Sequence, residues 1–191
     1  PPALYAGERI GRHGRPFTLW KFRTMTAAEG PERGVSGGDK AHRVTALGGM
    51  LRRWRLDELP QIFNVLGGAM SFVGPRPPVR QYVERFPDIY APILQARPGI
   101  TGLATAVLHA REDSLLAATR SAEETDAVYV RRCIPRKARL DRIYLAHACL
   151  ALDLYILYLT VARLLRLPFG RARRLRSQSR GVYALASRGA A

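Results

Sequence analysis

The chain has 191 residues, 47% of them hydrophobic, which is enough for one domain with a core and argues against intrinsic disorder. Its 31 basic and 15 acidic residues give a net charge of +16, which predicts an anionic partner such as nucleic acid, a phosphorylated substrate or acidic lipid. The two cysteines are isolated, which argues against a disulfide framework or a zinc site. The most apolar segment, 150–165, is shorter than a membrane-spanning helix of about 20 residues and contains Asp153 and Arg163.

Arginine supplies nearly all of the positive charge, because only Lys21, Lys40 and Lys137 are lysines. The planar guanidinium group binds phosphate through two parallel hydrogen bonds, which favours a phosphorylated partner. A genome rich in guanine and cytosine produces the same preference for arginine. Composition alone does not separate these two explanations.

A hairpin, a loop and a short helix are predicted for the first part of the chain. Within residues 8–25, the turn-rich GRHGRP joins ERI to the aromatic and β-branched segment FTLWKFRTM. Glycine and small polar residues over 27–41 predict a mobile loop at the entrance to an active site. Apolar residues at helical spacing over 44–53 predict a helix.

A second helix is predicted to begin at Asp57 and to end at Gly67-Gly68. Pro60 falls in its first turn, where the missing amide donor costs little. The elements predicted after it are a strand entering a proline-fixed loop at 71–79, a helix over 81–95 and a sharp turn at 97–99.

Helices are predicted for most of the second half. Two span 112–132 and 136–150, divided at Pro135, and a third spans 150–165. Residues 166–191 are rich in arginine, contain no acidic residue and predict a flexible basic tail. We therefore expect a folded domain over 1–165 with an α+β fold, mostly helical around a small β-hairpin sheet, with amphipathic helices at a membrane surface.

Two adjacent acids, Asp57 and Glu58, stand at the start of the second predicted helix. With Asp57 at the N-cap, the free backbone amides, the helix dipole and the arginines just upstream all favour ionised carboxylates. A divalent cation would relieve the repulsion between the two anions, and an oxygen-only pair suits Mg²⁺. One carboxylate could then bind the metal while its neighbour attacks phosphorus.

Each of these residues also has a purely structural interpretation. Acids commonly cap helices, and arginines beside them commonly form surface ion pairs. Lys21 and Arg23 could be charges that protect an edge strand, and Arg76 could be a turn residue in a surface pair. Asp153, on an otherwise apolar face, could orient a site arginine or belong to a pair at a helix end.

Four segments occur in a fixed order along the chain. They are ERIGRHGRPFTLWKFRTM at 8–25, HRVTALGGMLRRWRLDELPQIFNVLGGAMSFVGPRPPV at 42–79, RPGITGLA at 97–104 and LDLYILYLT at 152–160. KFRTM, LDELPQ, SFVGPRP and RPGITGLA are specific in combination. With these segments the chain resembles the bacterial sugar transferases, the monotopic phosphoglycosyl transferase family, up to about Leu165.

The resemblance implies an enzyme at the cytoplasmic face of the bacterial inner membrane, with its catalytic domain in residues 1–165. Such an enzyme transfers a sugar-1-phosphate from a UDP-sugar to polyprenyl (undecaprenyl) phosphate, releases UMP and initiates exopolysaccharide or other glycoconjugate synthesis. The resemblance makes Asp57 the nucleophile that forms a covalent phosphosugar intermediate. It makes Glu58, together with Asp57, the ligand of Mg²⁺.

The resemblance also assigns the cations around the two acids. Phosphoryl transfer depends on positioned cations more than on acid or base chemistry. Prolines on both sides of Arg76 restrict its backbone and preorganise it. The implied set contains the catalytic Lys21, a supporting Asp153 and the phosphate- or nucleotide-binding residues Arg23, Arg52, Pro75, Arg76, Pro77 and Arg97.

The chain departs from the family pattern at three places. The family's hydrophobic re-entrant helix precedes the position where this sequence begins, so we expect this chain to bind membrane weakly. TAVLHARED follows RPGITGLA in place of a polar stretch, which indicates a divergent branch and leaves the residues of the sugar pocket open. Arg55 stands where a small polar capping residue is usual.

A membrane surface is also indicated by the residues themselves. Leu154, Leu157 and Tyr158 recur on one helical face, and the basic tail would be attracted to anionic lipid. A helix packed in the core, followed by a disordered tail, explains the same pattern.

Two other functions compete with the transferase. A nucleic-acid-binding module would explain the charge, but no helix-turn-helix, zinc-finger or RRM pattern is present, so no specific nucleic acid is expected. An inactive scaffold with the same fold is the other alternative, and the intact pair of Asp57 and Glu58 argues against it.

Overall fold

The structure of the chain is a computed structural model, which describes residues 2–27 and 34–165. Mostly helical structure with small two-stranded sheets confirms the predicted α+β class. Contacts divide the chain into residues 1–160 and 161–191, and every element that builds the site below belongs to the first unit. The predicted basic tail at 166–191 and part of the predicted loop at 27–41 lie outside the described residues.

The predicted hairpin is present. Strands β1 (Leu4–Ile10) and β2 (Pro16–Phe22) pair antiparallel, with Tyr5 opposite Lys21. Their connection turns through His13 and Gly14, whose φ angles are 58° and 75°. β2 also binds the segment that carries the two acids, because the Asn64 side chain accepts from the Trp20 amide (3.2 Å) and donates to the Thr18 carbonyl (2.7 Å). This pairing brings KFRTM and LDELPQ together.

A second sheet joins two of the sequence motifs. Strands β3 (Ser71–Val73) and β4 (Gly99–Thr101) pair in parallel, a pairing that the sequence did not predict. The Gly99 amide donates to the Pro75 carbonyl at 2.9 Å. A Cβ atom at Gly99 would overlap the Gly74 backbone, so only glycine permits this approach. The loop around Arg76 is therefore held by RPGIT rather than by its prolines alone.

Helices make up the rest of the regular structure in the described residues. Besides two short 3₁₀ segments (Arg12–Gly14 and Gly38–Arg43), they are, in chain order, α1 (Ala46–Arg53), a 3₁₀ helix (Leu56–Gln61), α2 (Ile62–Leu66), α3 (Arg80–Arg85), α4 (Pro87–Ile93), α5 (Leu103–Ala117), α6 (Ala122–Val128), a π-helix (Tyr129–Cys133), α7 (Ile134–His147) and α8 (Leu150–Leu164). No helix within 2–27 or 34–165 combines the length and apolarity needed to cross a bilayer.

Two predicted helix boundaries were wrong. Pro135 does not divide two helices, because it lies in the first turn of α7, where a proline needs no amide donor. The division falls earlier, before Ser121, whose hydroxyl caps α6 by accepting from the Glu124 amide at 3.1 Å. The predicted helix over 81–95 is two helices, because Pro87 starts α4.

The buried apolar residues form two clusters. One contains side chains from β1, α3, α4, α5, α6, the π-helix and α7, including Tyr82, Ile93 and Ile134. The other joins β3, α5, α7 and α8 around Ile156. Helices α5 and α7 contribute to both clusters, which makes them a rigid wall for the cavity described next.

Candidate active site

A cavity of about 850 Å³ is lined by β2, the Arg76 loop, α5 and α7. This volume lies in the usual range for small-molecule sites, roughly 300–1,000 Å³. The sequence-predicted residues that line it are Lys21, Arg23, Arg52, Asp57, Glu58, Arg76 and Pro77. The fold thus brings most of the predicted set to one place.

Glu58 is the buried centre of the site and is 8% exposed. One carboxylate oxygen, Oε1, accepts from Arg76 at 2.6 Å and from Lys21 at 3.4 Å, while Oε2 accepts from Arg55 at 2.9 Å. Burial by itself raises the pKa of this carboxyl, but the cations of Arg76, Lys21 and Arg55 together hold the pKa well below its usual value. We call Glu58, Lys21, Arg55 and Arg76 the Glu58 cluster.

The backbone around the two acids differs from the prediction. Asp57 is not the N-cap of an α-helix, because the segment is a 3₁₀ helix whose N-cap is Arg55. Arg55 has a φ of 54°, a left-handed conformation that is uncommon for a residue other than glycine. The ion pair between Arg55 and Glu58 helps to compensate for the cost of that conformation. The left-handed turn at Arg55 orients the chain so that the side chains of Asp57 and Glu58 face different surroundings.

Asp57 lines the cavity and is half-buried. Within residues 2–27 and 34–165, its carboxylate makes no hydrogen bond or ion pair. Its negative charge nevertheless acts on Lys21. Of the two neighbouring acids, one is thus held by three cations and the other is available to a ligand.

The surroundings shift the pKa values of Lys21 and Arg76 in opposite directions. Burial and repulsion by Arg76 lower the pKa of Lys21 to about 8, although Glu58 and Asp57 act against the shift. Glu58 raises the pKa of Arg76, so its guanidinium stays charged. Arg76 is therefore a permanent cation of the cavity, whereas Lys21 loses its charge as the pH rises through about 8.

Arg52 and Arg23 line the cavity with their guanidinium groups anchored at its edge. Arg52 Nε donates to the hydroxyl of the buried Thr24 at 2.8 Å. Arg23 Nε donates to the Pro2 carbonyl at 2.9 Å, and its guanidinium lies over the Tyr5 ring at 5.7 Å. Each group keeps further N–H donors, so phosphate binding stays a prediction for both.

Arg97, Pro75 and Asp153 do not line the cavity of the described chain. Arg97 is exposed at the turn before β4, and Pro75 is buried in the loop. The Asp153 carboxylate accepts from the Tyr144 hydroxyl at 2.8 Å, which links α8 to α7. The structure thus places these three in supporting positions, and their predicted roles at the site stay predictions.

Of the two neighbouring acids, only one has a carboxylate that suits Mg²⁺. No group of three or more His, Cys, Asp or Glu side chains suited to a metal occurs in the described ranges. Both Glu58 oxygens already accept from cations, so Mg²⁺ would have to displace an arginine or Lys21 there. Asp57 is the carboxylate that fits, since Mg²⁺ commonly binds one or two carboxylates together with substrate phosphates.

Several residues that line the cavity were not predicted from the sequence. Arg9 on β1 is one, and burial together with repulsion by Arg76 lowers the pKa of its guanidinium. A second group of charged residues comes from α5 and α7 and includes Glu112, Lys137 and Asp141. The one available signal was Lys137, because lysine is so scarce in this chain.

Comparison with known proteins gives a consistent result. The family described as "Bacterial sugar transferase" matches residues 1–167. The chain is 35% identical over 163 residues to the UDP-glucose:undecaprenyl-phosphate glucose-1-phosphate transferase of Klebsiella pneumoniae, covering 84% of this chain and 32% of that protein. It is 42% identical over 117 residues to the undecaprenyl-phosphate galactose phosphotransferase of Salmonella typhimurium, covering 53% and 25%.

A third relative, matched over a shorter length, is also named as a transferase of a sugar 1-phosphate. A Bacillus subtilis protein named putative undecaprenyl-phosphate N-acetylgalactosaminyl 1-phosphate transferase is 46% identical over 85 residues, covering 44% of this chain and 48% of that protein. The chain spans between a quarter and a half of the length of these three relatives.

Proposed function

The chain belongs to the bacterial sugar transferase family, and from this premise we propose that it transfers a sugar-1-phosphate from a UDP-sugar to polyprenyl phosphate. UMP is the second product, and the glycolipid initiates synthesis of exopolysaccharide or another glycoconjugate. Relatives named for undecaprenyl-phosphate sugar-phosphate transfer support this reaction. The observation that carries the proposal is the available carboxylate of Asp57 beside the Glu58 cluster in one cavity.

In the proposed reaction an Asp57 oxygen attacks the β-phosphorus of the donor. The bond from that phosphorus to the bridging oxygen breaks, UMP leaves with that oxygen, and Asp57 holds the sugar phosphate as an acyl phosphate. An oxygen of the polyprenyl phosphate then attacks the same phosphorus, and the bond to Asp57 breaks. The carboxylate is regenerated, so no external acid or base is consumed.

The Glu58 cluster supplies the electrostatic part of the proposed mechanism. Negative charge spreads over the phosphoryl oxygens in the transition state, and fixed cations stabilise it without reorganising. Glu58 holds Arg76, Arg55 and Lys21 in place and offsets part of their mutual repulsion. Asp57 is the residue that would hold Mg²⁺, and the ion would supply further positive charge to stabilise the diphosphate.

A pH dependence follows from Lys21, whose pKa is about 8. Its ammonium loses charge as the pH rises through that value, so its attraction for the diphosphate weakens. We expect the KM for the donor to rise from about pH 7 to about pH 9 in the wild type. The rise should be smaller in Lys21→Arg, because a guanidinium stays charged over this range. An equal rise in both proteins would remove Lys21 from donor binding.

Membrane contact is proposed through an exposed apolar surface next to the two acids. Leu47, Met50 and Trp54 share one face of α1, while Leu59, Phe63 and Leu66 share one face of the 3₁₀ helix and α2. All six are at least 48% exposed. We call these six residues the α1–α2 surface. If it lies on the cytoplasmic face of the inner membrane, a lipid-linked phosphate meets Asp57 while its polyprenyl chain stays in lipid.

Vesicle flotation tests this surface. The double change Phe63→Ser and Leu66→Ser is expected to lower binding to vesicles containing anionic phospholipid by roughly tenfold or more, because two large apolar side chains lose their insertion energy. Val107→Ser is the control, since Val107 is also exposed but lies on α5 outside the surface. Equal flotation of the double variant and the control would contradict this orientation.

The proposed reaction is tested by measuring UMP. Protein in membrane vesicles is incubated with polyprenyl phosphate, Mg²⁺ and, separately, UDP-glucose, UDP-galactose and UDP-N-acetylgalactosamine. We expect UMP release that depends on the acceptor and on one or more donors. No release with any donor from the membrane-bound chain would contradict the proposed function.

A further inference from the structure

A second polar group lines the same cavity and has no role in the reaction above. The Lys137 ammonium donates to Glu112 at 2.9 Å and to the Tyr129 hydroxyl at 3.4 Å. Asp141 lies one helical turn after Lys137 on α7 and also lines the cavity. We call Glu112, Tyr129, Lys137 and Asp141 the α5–α7 cluster.

The backbone is specialised where this cluster forms. Tyr129 begins the π-helix between α6 and α7, and the Lys137 ammonium lies 5.2 Å from the centre of its ring. π-helices are rare and occur frequently at functional sites, because the extra residue per turn redirects a side chain. Here the local change places Tyr129 at the cavity beside Lys137.

Asp141 is the member of the cluster that points to a ligand. It is 7% exposed, yet in the part of the chain that the structure describes its carboxyl makes no hydrogen bond or ion pair. Burial raises the pKa of this carboxyl to about 7, with Lys137 acting against the shift. Neither oxygen of this carboxyl is among the fully buried unpartnered atoms of the described residues, so both are open to the cavity, where a bound molecule can donate to them in place of water.

The charges of the two clusters differ, and this difference indicates which part of a ligand each one binds. The Glu58 cluster has three cations around one acid, whereas the α5–α7 cluster has two acids and one cation. Carboxylates repel a diphosphate but accept hydrogen bonds from hydroxyl groups, and an ammonium donates to the hydroxyl oxygens. The α5–α7 cluster therefore suits a neutral, hydroxylated group.

The two clusters line the same cavity of about 850 Å³, so one ligand can contact both. The charge of Glu112 also contributes, after that of Glu58, to the raised pKa of Arg76. We propose that the α5–α7 cluster binds the vicinal hydroxyls of the UDP-sugar, with Asp141 accepting from them while the Glu58 cluster binds the diphosphate. This inference rests on the proposed function. Both the ribose and the transferred sugar carry such hydroxyls.

Binding measurements distinguish the hydroxyls of the ribose from those of the transferred sugar. Calorimetry is done on Asp57→Asn, which removes the proposed nucleophile and so keeps the donor intact, with and without Asp141→Asn. The ligands are UMP, UDP-glucose, UDP-galactose and UDP-N-acetylgalactosamine. Asp141→Asn is expected to weaken binding of at least one UDP-sugar by about tenfold or more, because a charged acceptor is replaced by a neutral amide with only one acceptor oxygen. Glu123→Gln, an exposed change of the same charge on α6, is the control.

Each outcome has one interpretation. Equal weakening of UMP and UDP-sugars assigns the cluster to the ribose, whereas weakening of UDP-sugars alone assigns it to the transferred sugar. Affinities within about twofold of the control for every ligand, in both Asp141→Asn and Glu112→Gln, would overturn the inference. Failure of both the wild-type protein and the Asp57→Asn parent to bind any UDP-sugar would instead overturn the proposed function, and this inference with it.

Discussion

Asp57→Asn is expected to abolish UMP release, with a loss of more than about 10³-fold, because an amide cannot form the acyl phosphate. Asparagine has the same shape as aspartate. In the described chain Asp57 has no ion pair to lose, so folding should persist. The measurement is the initial rate of UMP formation with a saturating donor and acceptor.

A direct test follows the intermediate itself. Without acceptor, wild-type protein supplied with a donor should gain the mass of one sugar phosphate on the peptide that contains Asp57, and Asp57→Asn should not. Asp88→Asn is the matched control, because Asp88 is an exposed aspartate on α4 away from the cavity. Substantial UMP release by Asp57→Asn, or a mass gain on another residue, would show that Asp57 is not the nucleophile.

Glu58→Gln is expected to lower both stability and activity. It leaves Arg76, Arg55 and Lys21 close together without the carboxylate that they share. Removing one partner from a buried ion pair costs about 3–5 kcal/mol, and the partial exposure of the cations here favours the lower end. UMP release should fall by about 10²-fold, because the cations lose their fixed positions.

The control for Glu58→Gln is the same change at an exposed pair. Glu8 accepts from Arg80 at 2.7 Å, and both side chains are about half exposed. Glu8→Gln should change the free energy of unfolding by less than about 1 kcal/mol. Denaturant unfolding of the two variants measures the difference. Equal stability of Glu58→Gln and Glu8→Gln would contradict a central role for the Glu58 cluster.

The pH dependence of stability gives a further check on Glu58. Its pKa in the folded protein is lowered from 4.5, so its stabilising contribution is complete above that value and is lost as the pH falls toward the folded pKa. We therefore expect the stability difference between wild type and Glu58→Gln to shrink as the pH is lowered below 4.5. A constant difference down to strongly acidic pH would be inconsistent with a paired, ionised Glu58.

Local elements were predictable where the signal lies in neighbouring residues. The β1–β2 hairpin followed from strand-forming residues on both sides of a turn-rich segment, and the end of α2 followed from Gly67-Gly68. The 3₁₀ geometry at Asp57 did not, because it depends on the left-handed conformation of Arg55 and on the ion pair that Arg55 makes with Glu58.

The fold brings together some, but not all, of the residues predicted for the site. Lys21, Glu58 and Arg76 were selected from three separate motifs, and they meet because Asn64 fixes the acid segment to β2 while RPGIT holds the Arg76 loop. Arg97 lies in the turn before β4, and it does not line the cavity of the described chain. A motif indicates that a residue matters without saying whether its side chain reaches the ligand.

The sequence by itself determined the family, the α+β class and the position of the two acids, because short contiguous segments are sufficient to identify each of them. Only the tertiary structure decided that Glu58 is held by three cations, that Asp57 is available to a ligand, and that Asp141 faces the same cavity from α7. The reason is physical: burial and charge at a side chain depend on residues far away in the sequence, and packing brings them together.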